Sequence, residues 1–393
     1  MRKISFCKKI KADVLIYDIS SSRLTQESIP REASIYELDI RNGVPMLVSI
    51  SYLIRLVRYL IKEKNLSKAN YFAIFDEIDP MVIITFSTMT DLLAKYSELR
   101  PEKLVIGIQT AVRPENFTKT FMRRAASYYV FGKAELDLCE VNNIPIKEPV
   151  LAGSYQLGIY MSSDKNLPNN SEECWDLCFV SGYRKEFDYE SYQPMDSKAN
   201  WGTPEEWLLL RKAHEDLFAL VARYAYENSL SLLIVGRQRD ETIDKVNEQE
   251  RSYFENRAGQ SNFEIICDQK HKLSSYRGAM YSQLVIHLYS TLGWEFLGLG
   301  KRVLFGGGID PGLVEIMDVG YWTKFLPASI HLTSPSYDEF QVKANELMNM
   351  SLENYTNLTK CPAEYYMNHD TNNPPHKVIG KRIQEHLVRY KST

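Results

Sequence analysis

No apolar stretch in this chain of 393 residues approaches the roughly 18 residues that a membrane-spanning helix requires, which excludes that class. Six cysteines are too few, in a chain this long, for a disulfide framework. Cys174 and Cys178 have no matching Cys/His pair nearby, so no zinc site is expected. Net charge is nearly absent as well: 47 basic residues against 50 acidic ones leave −3, which gives no global attraction to nucleic acid. Met1 to Phe6 run directly into a charged stretch without a secretory pattern, and a cytoplasmic protein is expected. Missing too are a Walker lysine loop, a glycine-rich dinucleotide turn, a His-Glu-x-x-His helix and a Ser-His-Asp order. No close pair of aspartates follows a strand to hold a diphosphate's cation. The nearest match, Asp76-Glu77-Ile78-Asp79, precedes its strand and reads as a helix end. Neither a metal nor another cofactor is therefore expected.

What is present is an ordinary globular composition, 44% hydrophobic and 25% charged, in a chain long enough for two cores. The 25 tyrosines and 16 phenylalanines suit sugar or base stacking, and suit plain core packing better. Short apolar runs alternate with longer periodic segments from end to end, the pattern of α/β architecture with parallel sheets. Strands are expected at Ala12 to Tyr17, Met81 to Phe86, Leu104 to Gln109, Tyr128 to Phe131 and near Val150 to Ala152. After a polar linker, Ser162 to Glu173, a second set follows at Leu177 to Val180, Leu230 to Val235, Phe263 to Ile266, Gln283 to Leu288 and Arg302 to Phe305. Helices are clearest at Met46 to Glu63 and from Pro204 to about Asn228. Two Rossmann-like domains result, 1–165 and 174–375, with a C-terminal helix in 376–393 packing back on the first.

Ligands of open parallel sheets bind beyond the carboxyl ends of the strands, which directs attention to the turns. Ser290-Thr291-Leu292-Gly293-Trp294-Glu295 reads as a phosphate-sized turn entering a helix, where free N–H groups and the helix dipole favour an anion. Glu295 lies four residues after Thr291 and five after Ser290, the wrong spacing for a capping box, and suits a ribose hydroxyl. An ordinary capped helix with a surface glutamate is the competing reading. Ser181, Tyr183 and Arg184 after one strand, Gly236 and Arg237 after the next, and Arg277 before a third add small residues and arginines that could clamp phosphate or carboxylate oxygens. In the first half Ser87, Thr88, Gln109, Thr110 and Arg113 follow central strands and suit an acceptor that offers hydroxyls; capping of the next helix serves equally well. Asp188, Asp196 and Glu115 are the carboxylates best placed for acid or base work, the first two on a long loop. His287, inside an apolar strand, reads as a core histidine.

The series Pro80 to Thr85, Gly107-Ile108-Gln109, Tyr129 to Gly132, Ala152-Gly153-Ser154, Ser181 to Arg184 and Ser290 to Leu304 resembles bacterial surface carbohydrate biosynthesis transferases of capsule and O-antigen, similar to those that transfer Kdo or nonulosonic acids from CMP-linked donors. That resemblance implies a GT-B arrangement, two Rossmann-like domains facing across a cleft. It places a nucleotide-sugar donor in the second domain and a glycan or lipid-linked glycan acceptor in the first, with no metal. It also implies that Ser290, Thr291 and Glu295 contact the nucleotide and Arg184 the phosphate or the sugar carboxylate. Two departures bear on the acceptor side: Ser87-Thr88-Met89 where relatives carry an acid-amide pair, and Thr110-Ala111 where they carry Asn-Gly. A nucleotide-sugar epimerase or hydrolase of the same plan, or a non-catalytic sugar-binding partner in polysaccharide assembly, is the alternative. Basic faces at Arg55, Arg58 and Lys62 and at Lys381, Arg382 and Arg389 suggest peripheral contact with the inner membrane, against the simpler reading of solvated helices.

Overall fold

A computed structural model describes residues 4–5, 11–18, 22–40, 46–47, 49–86, 91–113, 122, 124–163, 174–184, 203–237, 243–266, 274–317 and 322–391. The chain forms two compact units. One contains 1–111, 116–162 and 368–393, the other 112–115 and 163–367.

In the first unit, β1 (Ile4–Ser5) pairs with β4 (Met46–Leu47), while β2 (Val14–Ile16), β3 (Ile35–Glu37), β5 (Val82–Thr85), β6 (Leu104–Ile108), β7 (Ala125–Val130) and β8 (Ile146–Leu151) build one sheet. Its order is β3-β2-β5-β6-β7-β8 and every pairing is parallel. β5, β6 and β7 are buried at every residue, as expected of parallel strands covered on both faces. β8, at the edge, alternates between half-buried and exposed residues. The helices are α1 (Ser22–Thr25), α2 (Ile50–Glu63), α3 (Leu66–Ile78), α4 (Asp91–Leu99), α5 (Lys133–Val141) and α6 (Tyr155–Ser163). α2 begins later than the sequence pattern suggests because Met46 and Leu47 pair with β1, and Ser49 then caps the helix by accepting from the Tyr52 N–H.

α2 and α3 form a hairpin whose polar interior is built around Asp76. Tyr59 donates to its Oδ2 at 2.7 Å, Tyr96 to Oδ1 at 3.0 Å, and Arg100 binds both oxygens at 2.6 and 3.1 Å. Burial pushes the Asp76 carboxyl up, but the Arg100 guanidinium and the two phenols outweigh it and hold the carboxyl below its ordinary range. Glu77 accepts from Ser49 and Ser51 at 2.8 Å and from Arg55 at 2.9 Å, and Asp79 pairs with Lys103 at 2.7 Å. The acidic tetrad thus closes a helix, with Asp79 in the left-handed cap conformation at φ 54°.

The second unit holds β9 (Trp175–Val180), β10 (Leu232–Val235), β11 (Glu264–Ile266), β12 (Ser282–His287) and β13 (Val303–Phe305), all parallel in the order β11-β10-β9-β12-β13. α7 (Pro204–Glu227) starts with a full capping box between Thr203 and Glu206 and proline in its first turn. α8 (Ile243–Glu255), α9 (Ser274–Met280), α10 (Thr291–Gly298), α11 (Pro311–Met317), α12 (Tyr337–Asn349) and α13 (Leu352–Tyr366) complete the unit. The last helix, α14 (Pro375–Lys391), belongs to the first unit: Ser28 Oγ donates to the His376 carbonyl at 2.8 Å. Residues 368–375, expected with the second domain, also cluster with the first unit. There the Asn368 N–H donates to the Phe131 carbonyl at 2.7 Å, and Gly153, at φ +78°, meets the Asn368 carbonyl so closely that a Cβ would lie 2.3 Å from it.

Strand order positions the site. In the second unit the chain moves outward from β9 to β10 and β11, then returns to the other side of β9 for β12 and β13, so the switch point lies between β9 and β12. In the first unit the same reversal lies between β2 and β5.

Because Asp76 is the acceptor for three donors, Asp76→Ala leaves two phenols and a guanidinium without it; urea unfolding should show a loss of about 3 kcal/mol for the first unit.

Candidate functional site

The carboxyl edge of the second sheet is fixed by buried acceptors. After β9 the Ser181 Oγ donates to Glu250 Oε1 at 2.5 Å and accepts from the Tyr183 N–H at 3.0 Å. After β10 the Arg237 N–H donates to the same carboxylate oxygen at 3.1 Å, and the Gly236 N–H donates to the Ile266 carbonyl at 2.9 Å. Glu250, fully buried on α8, therefore ties two neighbouring turns together. Burial raises its pKa, against the Ser181 and Arg237 hydrogen bonds. His214 of α7 adds a second anchor. Its Nε2 accepts from the Gly182 N–H at 2.9 Å, which leaves the proton on Nδ1 for the Tyr253 hydroxyl at 3.0 Å. Burial, helped by Arg257 and Arg237, pulls the imidazole down to about 3, so it stays neutral. Arg184 follows directly, its guanidinium 4.7 Å over the Trp207 ring in the first turns of α7.

Across the switch point β12 ends in His287, fully buried and packed edge-on to Phe305 at 4.5 Å between centroids. Its Nδ1 accepts from the Ser290 N–H at 3.1 Å, and burial alone pulls its pKa to about 3. Ser290 is the N-cap of α10, its Oγ accepting from the Leu292 N–H at 3.3 Å. The helix sits so tightly on the imidazole that a Cβ on Gly293 would lie 2.0 Å from His287 Nε2, which explains the glycine without a ligand. Glu295, one turn further and buried, accepts from the Tyr276 hydroxyl at 2.9 Å on both oxygens. The helix begins at Thr291, and the two hydroxyls of the run are its cap and its first residue.

Three more of the expected site residues have defined surroundings. Arg113, assigned to the acceptor set of the first domain, lies in the second unit, where its carbonyl accepts from Trp322 Nε1 at 2.7 Å and the preceding Val112 N–H donates to Thr291 Oγ1 at 3.2 Å. Arg277 is exposed in the last turn of α9, 5.8 Å over Tyr281 where the chain enters the amino end of β12, and does not join the carboxyl-edge cluster. Gln109 is a buried strut: its Oε1 accepts from the Phe131 N–H at 2.7 Å, while its Nε2 donates to the Ala111 carbonyl and Glu135, each at 3.2 Å. Thr110 donates to the Phe86 carbonyl at 3.4 Å. Ser87, Thr88, Glu115, Asp188 and Asp196 lie outside the described residues.

Three residues at these sheet edges were not singled out from the sequence. Asp18 lies two residues beyond β2, is buried, and stands at the first unit's switch point; the signal was an acid closing the apolar run from Val14 to Tyr17. His214 and Glu250 sit within helices and carry no local signature.

Two parallel-sheet α/β units, each with its switch point, define the class as GT-B-like, and solved structures share that fold. The wall teichoic acid polymerase TagF aligns with a TM-score of 0.52 at 9% identity, over 97% of this chain and 91% of that one. S. aureus MnaA, solved with UDP, aligns at 0.51 and 13% identity, over 100% and 97%. A family profile described as "putative O-antigen biosynthesis protein" matches residues 146–379, and the chain belongs to that family. No curated protein matches it.

The two neutral histidines set a pH dependence. A histidine whose folded pKa is depressed contributes fully above its unfolded value of 6.5, and the contribution drains away as pH falls toward 3, at about 1.4 kcal/mol per pH unit for each. Glu250 acts in the opposite sense, since a raised carboxyl contributes below its unfolded value of 4.5 and loses this as pH rises. Two histidines against one acid make the second unit less stable as pH drops from about 6.5 to 5, and His214→Gln should flatten that slope in thermal melts.

Proposed function

We propose that this protein is a glycosyltransferase that moves a sugar from a nucleotide-sugar donor to a bacterial surface-glycan acceptor, with the donor nucleotide held by the second unit. One observation carries the reading: at the switch point between β9 and β12, the Ser290-capped amino end of α10 lies on the same sheet edge as the turns bearing Arg184 and Arg237. Backbone N–H groups, a helix dipole and guanidinium groups at a strand edge are an anion-binding chemistry. Membership of an O-antigen biosynthesis family supports a glycan product.

In this reading the amino end of α10 takes the donor phosphate, and Glu295, oriented by Tyr276, takes the ribose hydroxyls. Arg184 and Arg237 take the remaining negative charge, which suits a CMP-linked ulosonic acid, with one phosphate and one sugar carboxylate. Transfer forms a bond from an acceptor hydroxyl oxygen to the anomeric carbon and breaks the anomeric carbon–oxygen bond to the phosphate, which leaves as CMP. The hydroxyl proton passes to a carboxylate. Asp188, Asp196 and Glu115 remain the proposals for that base.

Thermal melts with CMP, UDP, GDP and their sugars test donor binding: a nucleotide at about a hundred times its Kd adds about 2.7 kcal/mol, a clear rise in Tm. Glu295→Gln should weaken that nucleotide roughly tenfold. No shift with any nucleotide would sink the proposal, and nucleotide release that needs no acceptor would favour an epimerase or hydrolase.

A further inference from the structure

The outward face of α2 is apolar where a surface helix should be polar. Ile50 is 80% exposed, Ile61 73% and Ile54 60%, and Leu53, Val57 and Leu60 are exposed beside them. Their spacing of three and four places all six on one stripe, while Tyr52, Leu56 and Tyr59 form the opposite, buried stripe against α3. The helix thus has two apolar faces and, among the described residues, only one has a partner. The stripe is edged by Arg58, Lys62 and Lys64, all exposed and, among the described residues, without a carboxylate partner. The helix's one acid, Glu63, is buried against Lys95.

We propose that this face of α2 binds an anionic lipid surface, lying in its plane with the isoleucines in the acyl boundary and the three cations at the headgroups. Charge selects this occupant. A second copy docking by the same face about a two-fold axis would set Arg58, Lys62 and Lys64 against their own equivalents, with no free acid on either α2 to neutralise them. Anionic headgroups meet those cations, and an apolar stripe with basic flanks is the composition of an in-plane amphipathic helix. The basic faces read from the sequence contribute less than their charges suggest. Arg55 is taken up by Glu77 at 2.9 Å, and Arg382 on α14 by Glu148 at 2.8 Å. The inference stands independently of the donor proposal.

Flotation of the full chain with vesicles of phosphatidylcholine alone, or of equal parts phosphatidylcholine and phosphatidylglycerol, tests it. The protein should float with the anionic vesicles, not with the neutral ones, and less as salt rises. Ile54→Ser/Ile61→Ser should lower the bound fraction roughly tenfold, and Arg58→Gln/Lys62→Gln by a similar factor at low salt only. Neither pair touches the core, so circular dichroism and Tm should be unchanged, and the charge pair still decides if the isoleucine pair fails to fold. The proposal is overturned if the native chain stays at the bottom of the gradient with anionic vesicles. It is equally overturned if both variants float as the native chain does, or if sedimentation shows a dimer that Ile54→Ser/Ile61→Ser dissolves.

Discussion

The Glu250 carboxylate is the constraint on which the carboxyl edge of the second unit's sheet depends. An ionisable group buried this far must be met by donors, and the two it receives come from the turns after β9 and β10. Loss of either donor would leave a buried oxygen unsatisfied, so the carboxylate and the two turns hold one another in place. The geometry of Ser181 to Arg184 and of Gly236 and Arg237 follows from that single side chain, backed by His214 on the next backbone N–H. Turns anchored this way can present main-chain groups and arginines at fixed positions.

Parallel topology explains why the anchors are where they are. Strands buried on both faces have no room for polar side chains until they end, so polar groups collect at the carboxyl edges. Gln109 serves the first unit as Glu250 serves the second, joining the turns after β6 and β7 through both ends of its amide. Asp76 holds the α2–α3 hairpin, on the opposite side of β5 in the sequence from the site turns.

β2 and β5 to β8, the strands of the second sheet, the capped start of α7 and the Ser290 turn were legible because apolar β-branched runs, a proline opening a helix and hydroxyls before a helix are local signals. β1, β3 and β4 were not: β1 and β4 have two residues each, and β3 ends in Glu37 and is half-exposed, so none has the apolar run of a buried strand. The helices from Pro311 to Tyr366 were hidden because polar and charged residues interrupt their apolar spacing, whereas the C-terminal helix was read. Site membership was harder still. Arg113 follows a first-unit strand in sequence, yet the segment crosses to the second unit and is held there by Trp322 and Thr291. His214 and Glu250 lie 32 and 69 residues from the turn they anchor, a distance that no local pattern spans.

His287, at the end of β12, and His214, on α7, use one device on the turns of adjacent strands. Each imidazole is buried and neutral, and each accepts a backbone N–H from a turn at the switch point, Ser290 in one case and Gly182 in the other. An aspartate could accept the same hydrogen bond, but its charge would sit beneath the turn and repel an approaching phosphate. A neutral imidazole fixes the backbone without that penalty, because burial prevents its protonation and it carries no negative charge. Glu250 is the exception among the anchors: its carboxylate lies beneath the turns after β9 and β10, met by the Ser181 hydroxyl and the Arg237 N–H, while burial raises its pKa. Neutral imidazoles under Gly182 and Ser290 add no negative charge beside Arg184 and Arg237, so those two turns are anchored without opposing an anion.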